Sequence, residues 1–269
     1  MVDPTNTAEG WHPWRVAPTS GFEVRDPAGE VGLLQIDPKQ FLVEKPFRFS
    51  DDAVLKMLTD SLVAGGKTVD EAHVAVEDAR TFSTAVENPT DLASIPRFMR
   101  WFESSYGAHT LAAILHDNLI VDTPNAGALG SDTLSDRFFR EMMGRAGVPW
   151  LKRWIMWAAV ALRSRWAAGG IRRTSVVVWL VLASAGIAAF VWAAGSAVFG
   201  WSHPGSAWIL VFLAVVLPFA AAFLWGRQYG AGLVAATAAI WILPAAVLAG
   251  VGYLVYMALE ALARRFGLH

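Results

Sequence analysis

The 269-residue chain has no cysteine, which excludes disulfide staples, a thiolate zinc site and a cysteine nucleophile. Charge is scarce, at 17% of residues against 55% hydrophobic ones, and acid nearly vanishes from the C-terminal part: residues 166–269 hold five Arg and one Glu, Glu260. A proton or ion path through the apolar runs would need ionisable groups inside them, and their absence argues against transport. The first 20 residues contain no basic stretch followed by an apolar one, so no signal peptide is expected. Walker loops, paired-glycine dinucleotide fingerprints and hydrolase elbows are all missing.

What is present divides in two. Residues 1–165 carry 17 Lys and Arg against 22 Asp and Glu, enough chain for a globular domain with its own core. The remainder is mostly Ala, Val, Leu, Ile, Phe, Trp and Gly, and ten of the 13 Trp lie at or after Trp150, as interfacial anchors would. Ser175 to Phe199 is an uncharged run of 25 residues, against the roughly 20 that a helix needs to cross a bilayer. Ala207 to Trp225 is a second run, interrupted only by Pro218, and Ala231 to Leu259 a third, with Pro244 near its middle. The third reads either as one kinked span or as two half helices in a re-entrant hairpin. Gly186, Gly195, Gly232 and Gly250 would let helices approach closely in lipid.

Lys152, Arg153, Arg163, Arg165, Arg172 and Arg173 crowd the approach to the first run, the turn at 200–206 has no Lys or Arg, and Arg227 marks the next turn. By the positive-inside tendency, the N-terminal domain is expected in the cytoplasm and the chain multi-pass in the inner membrane. Three full crossings would put Arg264 and Arg265 outside, against that tendency, which keeps the hairpin alternative open.

In the N-terminal domain, Phe22-Glu23-Val24 and Phe41-Leu42-Val43, separated by Asp-Pro and Lys-Pro pairs, predict a small β region. Ser50-Asp51-Asp52 before AVLKMLTDSLVA, closed by Gly65-Gly66, predicts a capped helix, and Thr68-x-x-Glu71 a capping box opening another. The stretch His73 to Phe82 fits helix or strand. From Pro149, PWLKRWIMWAAVALRSRW predicts a helix with Trp150, Trp154 and Trp157 between basic ends, suited either to anionic headgroups near Lys152, Arg153, Arg172 and Arg173 or to an amphipathic core role.

Four motifs stand in order: Thr90-Asp91-Leu92-Ala93-Ser94-Ile95-Pro96, Ala112-Ala113-Ile114-Leu115-His116-Asp117, Ser135-Asp136-Arg137-Phe138-Phe139, and the Met156–Leu162 run. Over roughly residues 40–165 the chain resembles the DUF1353 family, a domain of unassigned function found largely in phages and prophages. The family has a Leu-Tyr-like dipeptide after the His-Asp pair, where Leu119-Ile120 stands here, and a more regular lead-in to the first motif than Glu87-Asn88-Pro89. The expected architecture is an α+β domain with a small β region and a helical core, followed by an all-α transmembrane segment of about three helices. Its divisions are an N-terminal segment 1–39 with short strands, the DUF1353-like domain 40–165, and the anchor 166–269.

The chemistry-bearing residues sit in these motifs. On a helix over Gly107 to Val121, Leu111, Ala112, Leu115 and Leu119 form a core-facing stripe and put His116 at its margin, semi-buried. Asp117 is rotated by about 100° and needs a partner of its own. If the next helix packs antiparallel, Asp136, with Phe139 and Met143 on its side, can accept a proton from one His116 nitrogen and leave the other to deprotonate water. Asp117 and Asp91 would then be ligands for a divalent cation such as calcium, stabilising an oxyanion. This His-Asp arrangement also resembles that of phospholipases A2, although only Ser105-Tyr106-Gly107 precedes the helix where those enzymes carry a glycine-rich calcium loop. His109 shares the face of His116, but seven residues amount to about 10.5 Å of helix, too far to share one metal.

Each residue also has a plain structural reading. Thr133-x-x-Asp136 fits a capping box that would make Asp136 a helix-start residue, Asp91 fits a capped turn, and a histidine at a core margin is commonly hydrogen-bonded rather than catalytic. Two functions follow as expectations: a membrane-tethered phage-type accessory or interaction module, oligomerising through its helices, or a membrane-anchored His/Asp hydrolase acting on a lipid or cell-envelope substrate. Nucleic acid is not an expected partner, since the N-terminal domain is net acidic.

Overall fold

The computed structural model describes residues 13–16, 21–24, 30–37, 40–82, 107–120, 125–200 and 204–265. They divide into two compact units between Arg153 and Trp154, twelve residues before the composition break at 165.

Two three-stranded antiparallel sheets open the first unit. One has the order β1 (Pro13–Val16), β3 (Val31–Asp37), β4 (Gln40–Val43), the other β2 (Phe22–Val24), β5 (Phe47–Phe49), β6 (Thr81–Phe82). The expected N-terminal segment 1–39 is therefore not a separate piece. Its strand β3 pairs with β4 and its strand β2 with β5, so the sheets sew residues on both sides of position 39 together. Of the six strands among the described residues, Phe22-Glu23-Val24 and Phe41-Leu42-Val43 were legible beforehand; β3, the longest, was not, because Val31-Gly32-Leu33-Leu34 does not alternate apolar with polar. The second sheet is held by phenylalanines: Phe22 pairs with Phe49 across the ladder at 5.3 Å between ring centroids, and Phe47 stacks on Phe82 at 5.4 Å. Such contacts add about 0.5–1.5 kcal/mol each beyond area burial.

Helix α1 (Asp52–Ala64) begins where Asp51 accepts a hydrogen bond from the Val54 amide at 3.0 Å, and it ends at Gly65-Gly66, where Gly66 takes φ +101°. Helix α2 (Val69–Arg80) opens on the expected capping box: the Glu71 amide donates to the Thr68 hydroxyl, and the Thr68 amide to the Glu71 carboxylate. Those Thr68 donors hold the Glu71 carboxyl below its usual range. The box thus stabilises the fold at pH above the unfolded-state value and loses that contribution as pH falls through the lowered one. The ambiguous stretch His73 to Phe82 resolves into the rest of α2 followed by β6.

Asp51 also pairs with Arg145 at 3.0 Å, with the arginine half exposed, so the cap matters more than the ion pair. Asp51→Ala should cost about 1 kcal/mol and lower the melting temperature of this unit by about 2–4 °C. Asp51→Asn, which keeps an acceptor for Val54, should recover most of it in the same melting experiment. Equal losses in both variants would show that the ion pair rather than the cap holds this corner.

Helix α3 (Thr110–Ile120) and α4 (Asp132–Arg145) complete the described core of the first unit. Phe138 of α4 meets Phe49 edge-on at 5.5 Å, which docks α4 on the second sheet and sets the position of its other face.

The C-terminal unit is helical. Helix α5 (Trp150–Ala167) leads into α6 (Gly170–Phe199), α7 (Pro204–Ala222), a 3-10 turn (Phe223–Gln228) and α8 (Tyr229–Arg265). The reversal after α7 depends on Gly226, whose φ of +56° suits a residue without a side chain. The core pairs three large side chains, Trp157, Trp179 and Trp225, with alanines, and small residues allow close helix approach. Gly186 of α6 is one such place: a Cβ there would stand 3.0 Å from the Ala214 carbonyl and from the Pro218 ring of α7. Gly232 is another, facing Ala222, whereas Gly250 has open space around it.

Two stretches are long and apolar enough to cross a membrane, Gly170–Ser196 and Trp208–Ala239; the second takes in most of α7, the turn at Gly226 and the first part of α8. Leu248–Leu262 is a shorter apolar helix. Helix α8 passes Pro244 without reversing, so a hairpin there is not what the chain forms.

Candidate functional site

The centre of the first unit is the contact between α3 and α4. Thr110 sets the start of α3: the Gly107 amide donates to its hydroxyl at 2.7 Å, and its own amide donates to the Gly107 carbonyl at 3.0 Å. The helix that follows is buried on nearly every side from Thr110 to His116, not along the single stripe of Leu111, Ala112, Leu115 and Leu119. Ala113 and Ile114 are covered too, since α3 is enclosed by neighbours rather than laid on a surface. The histidine shares that fate. Expected semi-buried at a margin, His116 is 3% exposed.

Helix α4 supplies the partner. Its N-cap is Ser131, whose side chain accepts from the Leu134 amide, so the Thr133-x-x-Asp136 capping box does not form. The signal for the true cap was Gly130-Ser131-Asp132, a turn glycine followed by a capping serine and an acid in the first turn. Released from the helix start, Asp136 stands one turn in, on the inner face with Phe139 and Met143, completely buried.

From there the Asp136 Oδ1 lies 3.0 Å from Nε2 of His116, and the Phe139 ring packs over the imidazole at 4.9 Å. An ionised carboxylate can only accept, so with Asp136 in that form Nε2 carries the proton. The side chains are 4% and 0% exposed, so the pair is almost wholly buried. This geometry ties two helices together across 20 positions of sequence.

Asp117, one position on from His116 along α3, is half-buried, and Asp91 lies outside the described residues. Buried His109 stands at the opposite end of α3 from His116. Among the described residues no group of three His, Asp or Glu stands together as a cation site would require. What sequence reasoning missed is Arg165, read only as one of a row of basic residues near the membrane. It is buried in the second unit and donates to the Trp225 carbonyl at 2.9 Å and to Ser175 Oγ at 2.7 Å. No local pattern distinguishes it from Arg163, because its partners are 10 and 60 positions away.

Comparison with curated proteins and with solved structures finds no match to this chain. A family model does match, over a narrower range than the 40–165 read from the motifs. Residues 68–160, from the capping box that opens α2 into the first half of α5, match DUF1353, a protein family of unknown function.

Proposed function

We propose that this chain is a membrane-tethered, non-catalytic interaction module in which the DUF1353 segment is the working head and α6–α8 the anchor. The observation that carries this reading is the sealed His116–Asp136 pair: both side chains are at most 4% exposed, so the imidazole serves as an internal clamp between α3 and α4. The competing reading, a metal-assisted hydrolase with His116 as base and Asp117 and Asp91 as cation ligands, draws on the same 3.0 Å pairing, which orients a histidine as a general base requires. It also needs water at the other ring nitrogen, and a side chain only 4% exposed speaks against that.

For the anchor we propose three crossings in the inner membrane, with the head cytoplasmic beside the basic residues Lys152, Arg153, Arg172 and Arg173. In favour are the apolar length of α6 and α7, the passage of α8 through Pro244 without reversal, and the exposure of Leu254, Leu259 and Leu262 on the far part of α8. That far part also carries Gly250 and Gly252, where a Cβ would meet nothing within 4 Å, which suits packing against a second copy.

The absence of native cysteine makes the test direct. The chain should resist alkaline carbonate extraction, and a membrane-impermeant maleimide applied to intact cells should label His269→Cys but not Lys56→Cys. Extraction by carbonate, labelling at position 56, or protection of position 269 would each overturn this arrangement.

A further inference from the structure

We propose that the arginines gathered at the α5–α6 and α7–α8 connections form a binding site for the phosphate of an anionic phospholipid. The inference rests on the membrane-anchored reading above and adds a defined place and ligand chemistry to it.

Arg165 builds the site. One of its terminal nitrogens donates to the Trp225 carbonyl at 2.9 Å and to Gln228 Oε1 at 3.2 Å; the other donates to Ser175 Oγ at 2.7 Å and to the Leu224 carbonyl at 3.3 Å. The Ser175 hydroxyl passes the chain on to the Arg172 carbonyl at 2.7 Å. Through these bonds Arg172, at the start of α6, and Arg227, in the turn before α8, are drawn to one end of the helical unit, and both are exposed there.

The four acceptors around Arg165 are neutral oxygens. They satisfy donors but do not cancel a charge, and a buried charge without a counter-ion is costly. Burial pushes the guanidinium pKa down, and Arg172 pushes it the same way. No Asp or Glu occurs between Glu141 and Glu260, and Glu260 is 32 positions past Gln228, about 48 Å along α8. Among the described residues, then, no carboxylate bonds this arginine. An anion from outside is the counter-charge that the described residues at this end of the bundle do not supply.

The surroundings select a lipid over a free anion. Ile171, beside Arg172, is 86% exposed, and Phe223, at the start of the Arg227 turn, is 68% exposed. Guanidinium groups flanked by uncovered apolar side chains fit a phosphate carrying acyl chains, and basic pockets between membrane helices hold lipid head groups in this way.

The test uses the full chain in a neutral detergent, titrated separately with phosphatidylglycerol, phosphatidylcholine and inorganic phosphate. Phosphatidylglycerol should bind at least about tenfold more tightly than phosphatidylcholine, and inorganic phosphate should not compete. Since each cation near an anionic surface contributes roughly a fivefold factor, Arg172→Gln with Arg227→Gln should weaken phosphatidylglycerol about 25-fold. The double Lys variant should retain most of the binding, and Lys56→Gln all of it. Equal binding of the two lipids, full binding by the Gln pair, or equal competition by inorganic phosphate would overturn the site. Carbonate extraction of the same preparations separates the two failures: a chain that stays in the membrane yet shows no lipid preference loses only this site, while a chain that is extracted loses the anchor and the site together.

Discussion

Replacing Asp136 with Ala is expected to destabilise the head by roughly 1–3 kcal/mol, the range for leaving a buried hydrogen-bonding group without its partner. The carboxylate is completely buried against Nε2 of His116, and without it a buried N–H is left with no acceptor while a cavity opens beside Phe139. Asp136→Asn should fall between the wild type and Ala, because an amide oxygen can still accept from Nε2 though without charge. Thermal or denaturant unfolding of the full chain in detergent reads the effect. An unchanged transition in Asp136→Ala would remove the clamp, and with it the observation on which the non-catalytic reading stands. His116→Gln separates the two functions further: a stability loss is expected here, whereas a fold that stays intact while a hydrolytic activity disappears would establish the enzyme.

The second large effect is expected at Arg165. Arg165→Ala strips the donors from the Leu224 and Trp225 carbonyls and the Gln228 amide, and removes a guanidinium lying 5.4 Å over the Trp225 ring. Each buried acceptor left without a donor costs about 1–3 kcal/mol, so a loss of roughly 3 kcal/mol or more is expected, together with new protease sensitivity at the turn 223–228. Arg165→Lys should recover little of this, since a single ammonium cannot span four acceptors that a planar fork reaches in two directions. Full stability in the Lys variant would show that charge alone holds the turn.

How much of this was readable beforehand depended on the range of the interaction involved. Helix α1 was legible through Asp51 and Gly65-Gly66, and α2 through Thr68 and Glu71, because caps act over three or four positions and leave a local pattern. The alternative α4 cap at Thr133 and Asp136 does not form, because two overlapping patterns, Ser131 with Leu134 and Thr133 with Asp136, compete for one helix start. Burial decided between them: Asp136 belongs to the inner face that carries Phe139 and Met143. The expected partnership of His116 with Asp136 followed from helical spacing plus an assumed packing of α3 on α4, and the distance of 3.0 Å fits that packing. The depth of burial did not follow, because it depends on what encloses α3 from outside its own sequence.

By itself the sequence determined the apolar character of the C-terminal part, its scarcity of acid, and the helices whose ends are capped locally, since composition and short-range hydrogen bonding act wherever the residues stand. The tertiary structure decided the strand pairing across position 39, the sealing of His116 and the conversion of Arg165 from one basic residue among several into the bond between α5 and the α7–α8 turn. The last two depend on contacts such as His116–Asp136 and Arg165–Trp225, 20 and 60 positions apart, whose loop-closure entropy is offset only when the whole core forms at once.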